Sequence, residues 1–216
     1  MSKLVGLWRN NKGFIVFVFL MLVFRSAIAD WNIVPTGSMR PTIQVGDRIW
    51  VNKLAYDIQL PFVYVSLVHL SDPQRGDIIV FESEVSDLRL VKRVVGLPGD
   101  QIAMRDNQLW LNGEALPYVI EYRSEDEAIL RETLGAIEHD IRLDLHHPSP
   151  LASFPPVTIP EGFYFVLGDN RDNSNDSRFI SFVPRDEIIG RTSTVVMSHD
   201  FDNYYLPKKD RFFKKL

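Results

Sequence analysis

Beyond residue 30 the apolar positions recur mostly at the two-residue spacing of strands rather than the three-to-four spacing of helices. Residues 47–52 alternate, 77–81 form a short apolar run of the kind buried on both faces, and 88–96 lead into the turn Leu97-Pro98-Gly99-Asp100. The stretches 101–104 and 108–111 are spaced to pair across Arg105-Asp106-Asn107, with a further turn at Asn112-Gly113. Residues 162–167 and 188–197 complete the set. One segment breaks the rhythm: Ser124-Glu125-Asp126-Glu127 has the spacing of a capping box and predicts a short helix ending near Gly135. Short strands without long helices predict a mainly β domain with a barrel-like or sandwich-like core.

The N-terminus follows another pattern. Residues 14–24 are apolar without interruption, and Lys3, Arg9 and Lys12 precede them. These eleven residues fall short of the roughly 20 that cross a bilayer, so a span must run from Gly13 to about Ala29, with Arg25 snorkelling to the far headgroups. The upstream cations then stay cytoplasmic and the remainder lies outside. A cleavable signal peptide fits the same residues, because Ala27-Ile28-Ala29 before Asp30 has the small-x-small pattern of a cleavage site. On this segment alone the two readings stand level.

Composition narrows the chemistry. The 216 residues include no cysteine, which removes disulfides, thiolate nucleophiles and cysteine-ligated metals. With 24 basic against 28 acidic side chains the net charge is −4, giving no electrostatic case for nucleic acid. The length suits one domain with a sizeable insertion. No Gly-x-Ser-x-Gly elbow occurs, and His146-His147 beside Pro148 reads as a solvated loop rather than a metal site. Lys208, Lys209, Arg211, Lys214 and Lys215 around Phe212-Phe213 read as a solvated tail or as a contact to anionic headgroups.

A hydroxyl attacks a carbonyl readily only when a base takes its proton, and lysine serves as that base only where burial keeps its amine neutral. Ser38 stands in Pro35-Thr36-Gly37-Ser38-Met39-Arg40-Pro41, and Lys92 stands among apolar neighbours in Leu90-Val91-Lys92-Arg93-Val94-Val95-Gly96. Lowering a lysine pKa from about 10.4 to roughly 8 destabilises the ammonium by about 3 kcal/mol, which desolvation supplies and the adjacent Arg93 would assist. In a strand, Leu90 and Val94 share the face of Lys92 while Val91, Arg93 and Val95 take the other; parity leaves open which is inward. Taken singly, Thr36-Gly37-Ser38 also reads as a turn and Lys92-Arg93 as a surface pair.

The order of the pieces tells more. After Ser38 come Pro41-Thr42, Val45-Gly46-Asp47, Arg75-Gly76-Asp77-Ile78-Ile79-Val80-Phe81, then Lys92-Arg93-Val94-Val95-Gly96-Leu97-Pro98-Gly99-Asp100, and finally Gly168-Asp169-Asn170-Arg171-Asp172-Asn173-Ser174-Asn175-Asp176-Ser177-Arg178. From about Val34 to Gly190 this set resembles the boxes of bacterial type I signal peptidases, the leader peptidases, with a poorly matching interior over 106–160.

The resemblance implies a signal-peptidase-like antiparallel β core over 31–105 and 161–216, with a smaller β-rich insertion over 106–160. It also implies a cytoplasmic segment over 1–12 and a retained transmembrane helix as anchor over 13–30. The protein would be a serine endopeptidase of the bacterial plasma membrane, with its catalytic domain on the outer side. It would remove signal peptides from exported preproteins after Ala-x-Ala motifs, with no metal or cofactor. Ser38 would be the nucleophile and Lys92 the general base, with the Ser38 backbone N–H and the Thr36 hydroxyl holding the oxyanion. Ser174 would hydrogen-bond the Lys92 amine, while Asp176 and Arg178 would form a supporting ion pair. Val34, Met39, Ile43 and Val91 would wall shallow pockets for small side chains, and Trp31 and residues 60–67 would rest on the lipid bilayer. Thr36 departs from the serine common at its position, and Phe179-Ile180-Ser181-Phe182 stands where the family often has an aromatic followed by Trp-Gly. The polar cluster is not an EF-hand, since Ser177 and Val183 occupy the places of its glycine and bidentate glutamate. Two rivals remain: a self-cleaving repressor of the SOS type, which the N-terminal apolar run argues against, and a non-catalytic exported β-module in which Ser38 and Lys92 never meet.

Overall fold

The computed structural model describes residues 2–63, 65–201 and 203–216, with side chains from residue 11 onward. Helix α1 (Ser2–Ala27) leads into β1 (Ala29–Ile33), β2 (Asp47–Asn52), and the hairpin of β3 (Asp57–Gln59) and β4 (Ser66–His69). The pair β5 (Ile78–Ser83) and β6 (Leu88–Gly96) precedes a meander of β7 (Gln101–Arg105), β8 (Gln108–Leu111) and β9 (Glu114–Ala115). A second meander follows in β10 (Tyr118–Arg123), β11 (Glu127–Leu134) and β12 (Ile137–Asp144). The chain returns through β13 (Phe154–Thr158), β14 (Phe163–Leu167), the short α2 (Ser177–Ile180) and β15 (Val183–Pro184). The long β16 (Ile188–Asp200), β17 (Leu206–Pro207) and β18 (Lys214–Lys215) close it.

The main sheet is antiparallel and runs β1-β2-β16-β5-β6-β14-β15, with β17 and β18 added to β16. Its centre is covered on both faces, which is why β5 reads as a continuous apolar run rather than an alternating one. Ile78 and Val80 join Val34, Met39, Ile43, Ile49 and Val51 in one cluster; Ile79 and Phe81 join Val94, Val166, Ile180 and Ile188 in another. Lys92 stands opposite Ile79 in the β5–β6 ladder and therefore shares the face of the second cluster. The four-stranded sheet β13-β7-β8-β9 packs its own cluster, including Ile102, Met104 and Leu109, against Val95, Phe165 and Leu167. Asp106 and Asn107 both take positive φ in the β7–β8 turn, the geometry that lets two residues reverse a twisted hairpin.

Residues 106–160 thus belong partly to the sheet that β7 begins and partly to a separate sheet, β10-β11-β12. The helix expected after Ser124 is a strand. Ser124 Oγ does accept from Glu127 N at 3.1 Å, as a cap would, but Ala128, Leu130, Glu132 and Leu134 then alternate inward along β11. Their backbone pairs with β10 and β12 on both sides, and tertiary pairing overrides the local cap signal.

The expected anchor is also corrected. Helix α1 ends at Ala27, and Ala29 already pairs with Asn52 in β1–β2. Among the described residues no helix is long and apolar enough to cross a membrane. The uninterrupted apolar run of eleven residues gives only about 17 Å of helix, against roughly 30 Å of hydrocarbon. Arg25 does not extend away from the body: its Nη2 meets Asp30 Oδ1 at 2.6 Å and its guanidinium lies 4.9 Å from the Trp31 ring. Lys53 Nζ donates to Ser26 O at 2.9 Å, so the last turn of the helix is capped by the β body.

Candidate active site

Three segments far apart in sequence meet at one end of the main sheet. The first leaves β1 at Val34 and turns through Ser38 before Met39 and Ile43 enter the core, the latter two almost wholly buried. Ile43 N donates to Met39 O at 2.9 Å, and this small turn leaves Ser38 half-buried at the surface of the cluster.

The second segment is the outer half of β6. Lys92 is 2% exposed, and its Nζ lies 2.7 Å from Ser38 Oγ and donates to Val91 O at 3.0 Å. Burial pushes its pKa down to about 8, although the carboxylates of Asp176 and Asp169 pull upward. Arg93 does not add to this lowering. It points to the opposite face and spends its charge on Asp169, with Nε–Oδ1 at 2.9 Å and Nη2–Oδ2 at 2.7 Å, while Nη1 donates to Gly76 O. Burial pushes the Asp169 carboxyl up, but Arg93 first, then His139 and the Thr42 hydroxyl outweigh it and hold the group below the usual range.

The third segment, 168–178, closes over the turn of Ser38. Asn170 N donates to Ser38 O and Asn170 Nδ2 to Gly37 O, each at 3.0 Å. This approach needs glycine at 168: a Cβ there would lie 2.4 Å from Ser38 O and 2.2 Å from Ser174 Oγ. Asp176 receives Arg178 through Nε at 2.8 Å and Nη2 at 2.9 Å, with both side chains fully buried, and also accepts from Gly168 N at 3.0 Å. The expected ion pair is therefore formed. The expected bond from Ser174 to the Lys92 amine is not: Ser174 Oγ is buried without a hydrogen bond, while the amine turns to Ser38 and Val91.

A cleft of about 400 Å³ opens beside Ser38 and Lys92. Val34, Met39 and Val91 line it as expected, and Thr36 lies exposed at its rim. Ile43 does not line it, because its 0% exposure places it wholly within the core. Ile33, Leu88 and Leu90 are walls that the sequence reading missed. Their signal lies in β6: β5 pairs with its whole outer half, whereas β14 pairs only with Arg93, Val94 and Gly96. Among the described residues, 88–92 therefore present an unpaired strand edge toward 32–36, and sequence alone does not say where pairing stops. Asn170 was also missed as a partner of the Ser38 turn, because nothing local marks a contact between residues so distant in the chain.

A serine hydroxyl apposed to a buried lysine amine, beside an apolar cleft on a β scaffold, has the form of a serine hydrolase centre. The comparisons with known proteins are specific about which kind. Residues 7–197 match the family model "Signal peptidase, peptidase S26". Signal peptidase I of Pseudomonas fluorescens is 39% identical over 206 residues, covering 87% of this chain and 72% of that protein. Signal peptidase I of Pseudomonas aeruginosa is 38% identical over the same shares, and signal peptidase I T of Bacillus subtilis is 33% identical over 188 residues, covering 86% and 82%. The chain belongs to the signal peptidase family, peptidase S26, and is a serine endopeptidase.

Proposed function

We propose that this chain removes signal peptides from exported preproteins by cutting after small-x-small motifs, with Ser38 as nucleophile and Lys92 as general base. The observation that carries the reading is the 2.7 Å separation of Lys92 Nζ from Ser38 Oγ with the amine buried. In this scheme the neutral amine takes the Ser38 proton as Oγ attacks the scissile carbonyl, and the resulting ammonium returns a proton to the leaving amine. The Ser38 backbone N–H and the Thr36 hydroxyl face the oxyanion. Water then gives a proton to Lys92 and attacks the ester, and the ammonium returns that proton to Ser38 Oγ as the signal-peptide carboxylate leaves. Apart from substrate and water, these steps call on the chain's own groups.

The substrate would enter as an extended strand between 32–36 and the open edge of 88–92, adding to the sheet in the manner of β-augmentation. Val34, Met39 and Val91 leave shallow apolar room, which favours alanine-sized side chains next to the cut. Attachment to the surface of the plasma membrane is supported by Lys3, Arg9 and Lys12 ahead of the exposed Phe14, Phe17, Phe19 and Leu20. Exposed Leu60, Phe62, Val63 and Val65 between β3 and β4, with Leu67 in β4, add further apolar surface.

The test is cleavage of a preprotein bearing an Ala-x-Ala site by the full chain in detergent. Ser38→Ala and Lys92→Ala should each lower turnover by at least about 1,000-fold. Cleavage that survives either change overturns the reading.

A further inference from the structure

We infer that the inserted sheet β10–β12 positions the nucleophile, with Glu132 acting through Arg171 and Arg142 acting through Asn170. The inference rests on the assignment of Ser38 and Lys92 above and gives the insertion a part in it.

Residues 168–171 lie between the Ser38 turn and this sheet. On one side Asn170 holds Ser38 O and Gly37 O. On the other, Arg142 N donates to Asp169 O at 2.8 Å and Arg171 N to Arg142 O at 3.0 Å, so that Arg142 of β12 bridges Asn170 in parallel. The Arg142 side chain adds Nη1 to Asn170 Oδ1 at 3.3 Å and is itself held by Glu127 at 2.5 Å. Asn170 is thus gripped by the insertion through one end of its amide and grips the nucleophile turn through the other.

The neighbouring residue repeats the arrangement in the interior. Arg171, 1% exposed, places Nη2 2.6 Å from Oε1 of the wholly buried Glu132. Tyr118 OH donates to Glu132 Oε2 at 2.5 Å, and His139 Nε2 lies 3.3 Å from Glu132 Oε1 and 3.8 Å from Asp169 Oδ1. Burial pushes the Glu132 carboxyl up, but Arg171 and His139 outweigh it and hold the group well below the usual carboxylate range. Buried ion pairs commonly stabilise no better than packed apolar side chains of the same volume. What this pair supplies is direction: the guanidinium fork fixes one rotamer of Arg171 and with it the adjoining backbone of Asn170. The insertion adds no side chain to the cleft, whose lining comes from residues 32–39 and 88–92. Its effect should therefore fall on turnover rather than on substrate binding.

The experiment uses the full chain and a preprotein with an Ala-x-Ala site, measuring kcat, KM and the pH profile. Arg142→Met removes the partly buried guanidinium while its backbone bonds remain. Should single changes at the buried pair fail to fold, the double variant Glu132→Leu with Arg171→Met removes both charges together. Arg131→Ala, on the other face of β11 among exposed partners, is the control. Arg142→Met and the double variant should lose about tenfold in kcat with KM within about twofold of the parent, while Arg131→Ala matches the parent. The acid limb should also move to higher pH as water reaches the Lys92 amine, which Asp176 and Asp169 face. Partial unfolding only scales the whole profile without moving its midpoint, and that result overturns the inference, as do unchanged kcat and midpoint. If the unaltered chain cleaves and the variants match it, the positioning role alone is lost; if the unaltered chain does not cleave, the assignment of Ser38 and Lys92 falls first.

Discussion

In the proposed mechanism the Lys92 amine must be uncharged to act as base, and its surroundings set the pH at which that holds. Desolvation lowers its pKa to about 8 against the pull of Asp176 and Asp169. The neutral form therefore dominates above that value and disappears as pH falls through it. A plot of log kcat/KM against pH should rise with unit slope and bend near pH 8; a flat acid limb contradicts a lysine base. Gly168 carries a second expectation, because any side chain there meets Ser38 O and Ser174 Oγ. Gly168→Ala should cost about 1–3 kcal/mol in urea denaturation and about 100-fold in peptide cleavage, since displacing the nucleophile by even 1 Å has that effect. Single residues were also where the sequence was least legible. Strand parity separated Lys92 from Arg93 correctly, but it could not reveal that Asp169, 76 positions away, would consume the arginine's charge. Nor did it show that Ile43 would sink beneath the cleft floor instead of lining it.

Most strands were readable because burial imposes a period on them. β2 alternates as its pattern requires, β5 is apolar throughout because both faces are covered, and β6 runs to Gly96 as its turn signal indicated. β11 was not, because Ser124-Glu125-Asp126-Glu127 carries a genuine capping bond that opens a strand instead of a helix. Local hydrogen bonding identified the turn there, and only pairing with β10 and β12 decided what followed it. The β3–β4 hairpin supports an expectation of its own, since Leu60, Val63 and Leu67 are exposed. Replacing Val63 and Leu67 together with aspartate should reduce co-sedimentation with anionic liposomes by about tenfold, while cleavage of a short soluble peptide persists. Unchanged liposome binding contradicts a lipid-facing hairpin.

In the molecule as a whole, the proposed catalytic site is assembled from a turn, a strand edge and a loop that are brought together by the β core. The order of the boxes in sequence announced the family before any contact was known, yet the 106–160 interior gave no hint that its Glu132 and Arg142 reach back to the loop beside Ser38. Such long-range polar contacts leave no periodic trace, because only Glu132 and Arg142 lie on strands, and their partners Arg171 and Asn170 sit in a loop with no period of its own. All of this converges on one uncharged ε-amine. Full-length protein in detergent, with lysine labelled at the ε-carbon, allows each amine to be titrated by NMR. One lysine resonance should titrate near pH 8 and vanish in Lys92→Ala, leaving that of Lys53, whose pKa burial also lowers, in place. If the resonance lost in Lys92→Ala titrates instead near the ordinary lysine value of about 10.4, the base is charged at working pH and the account is wrong.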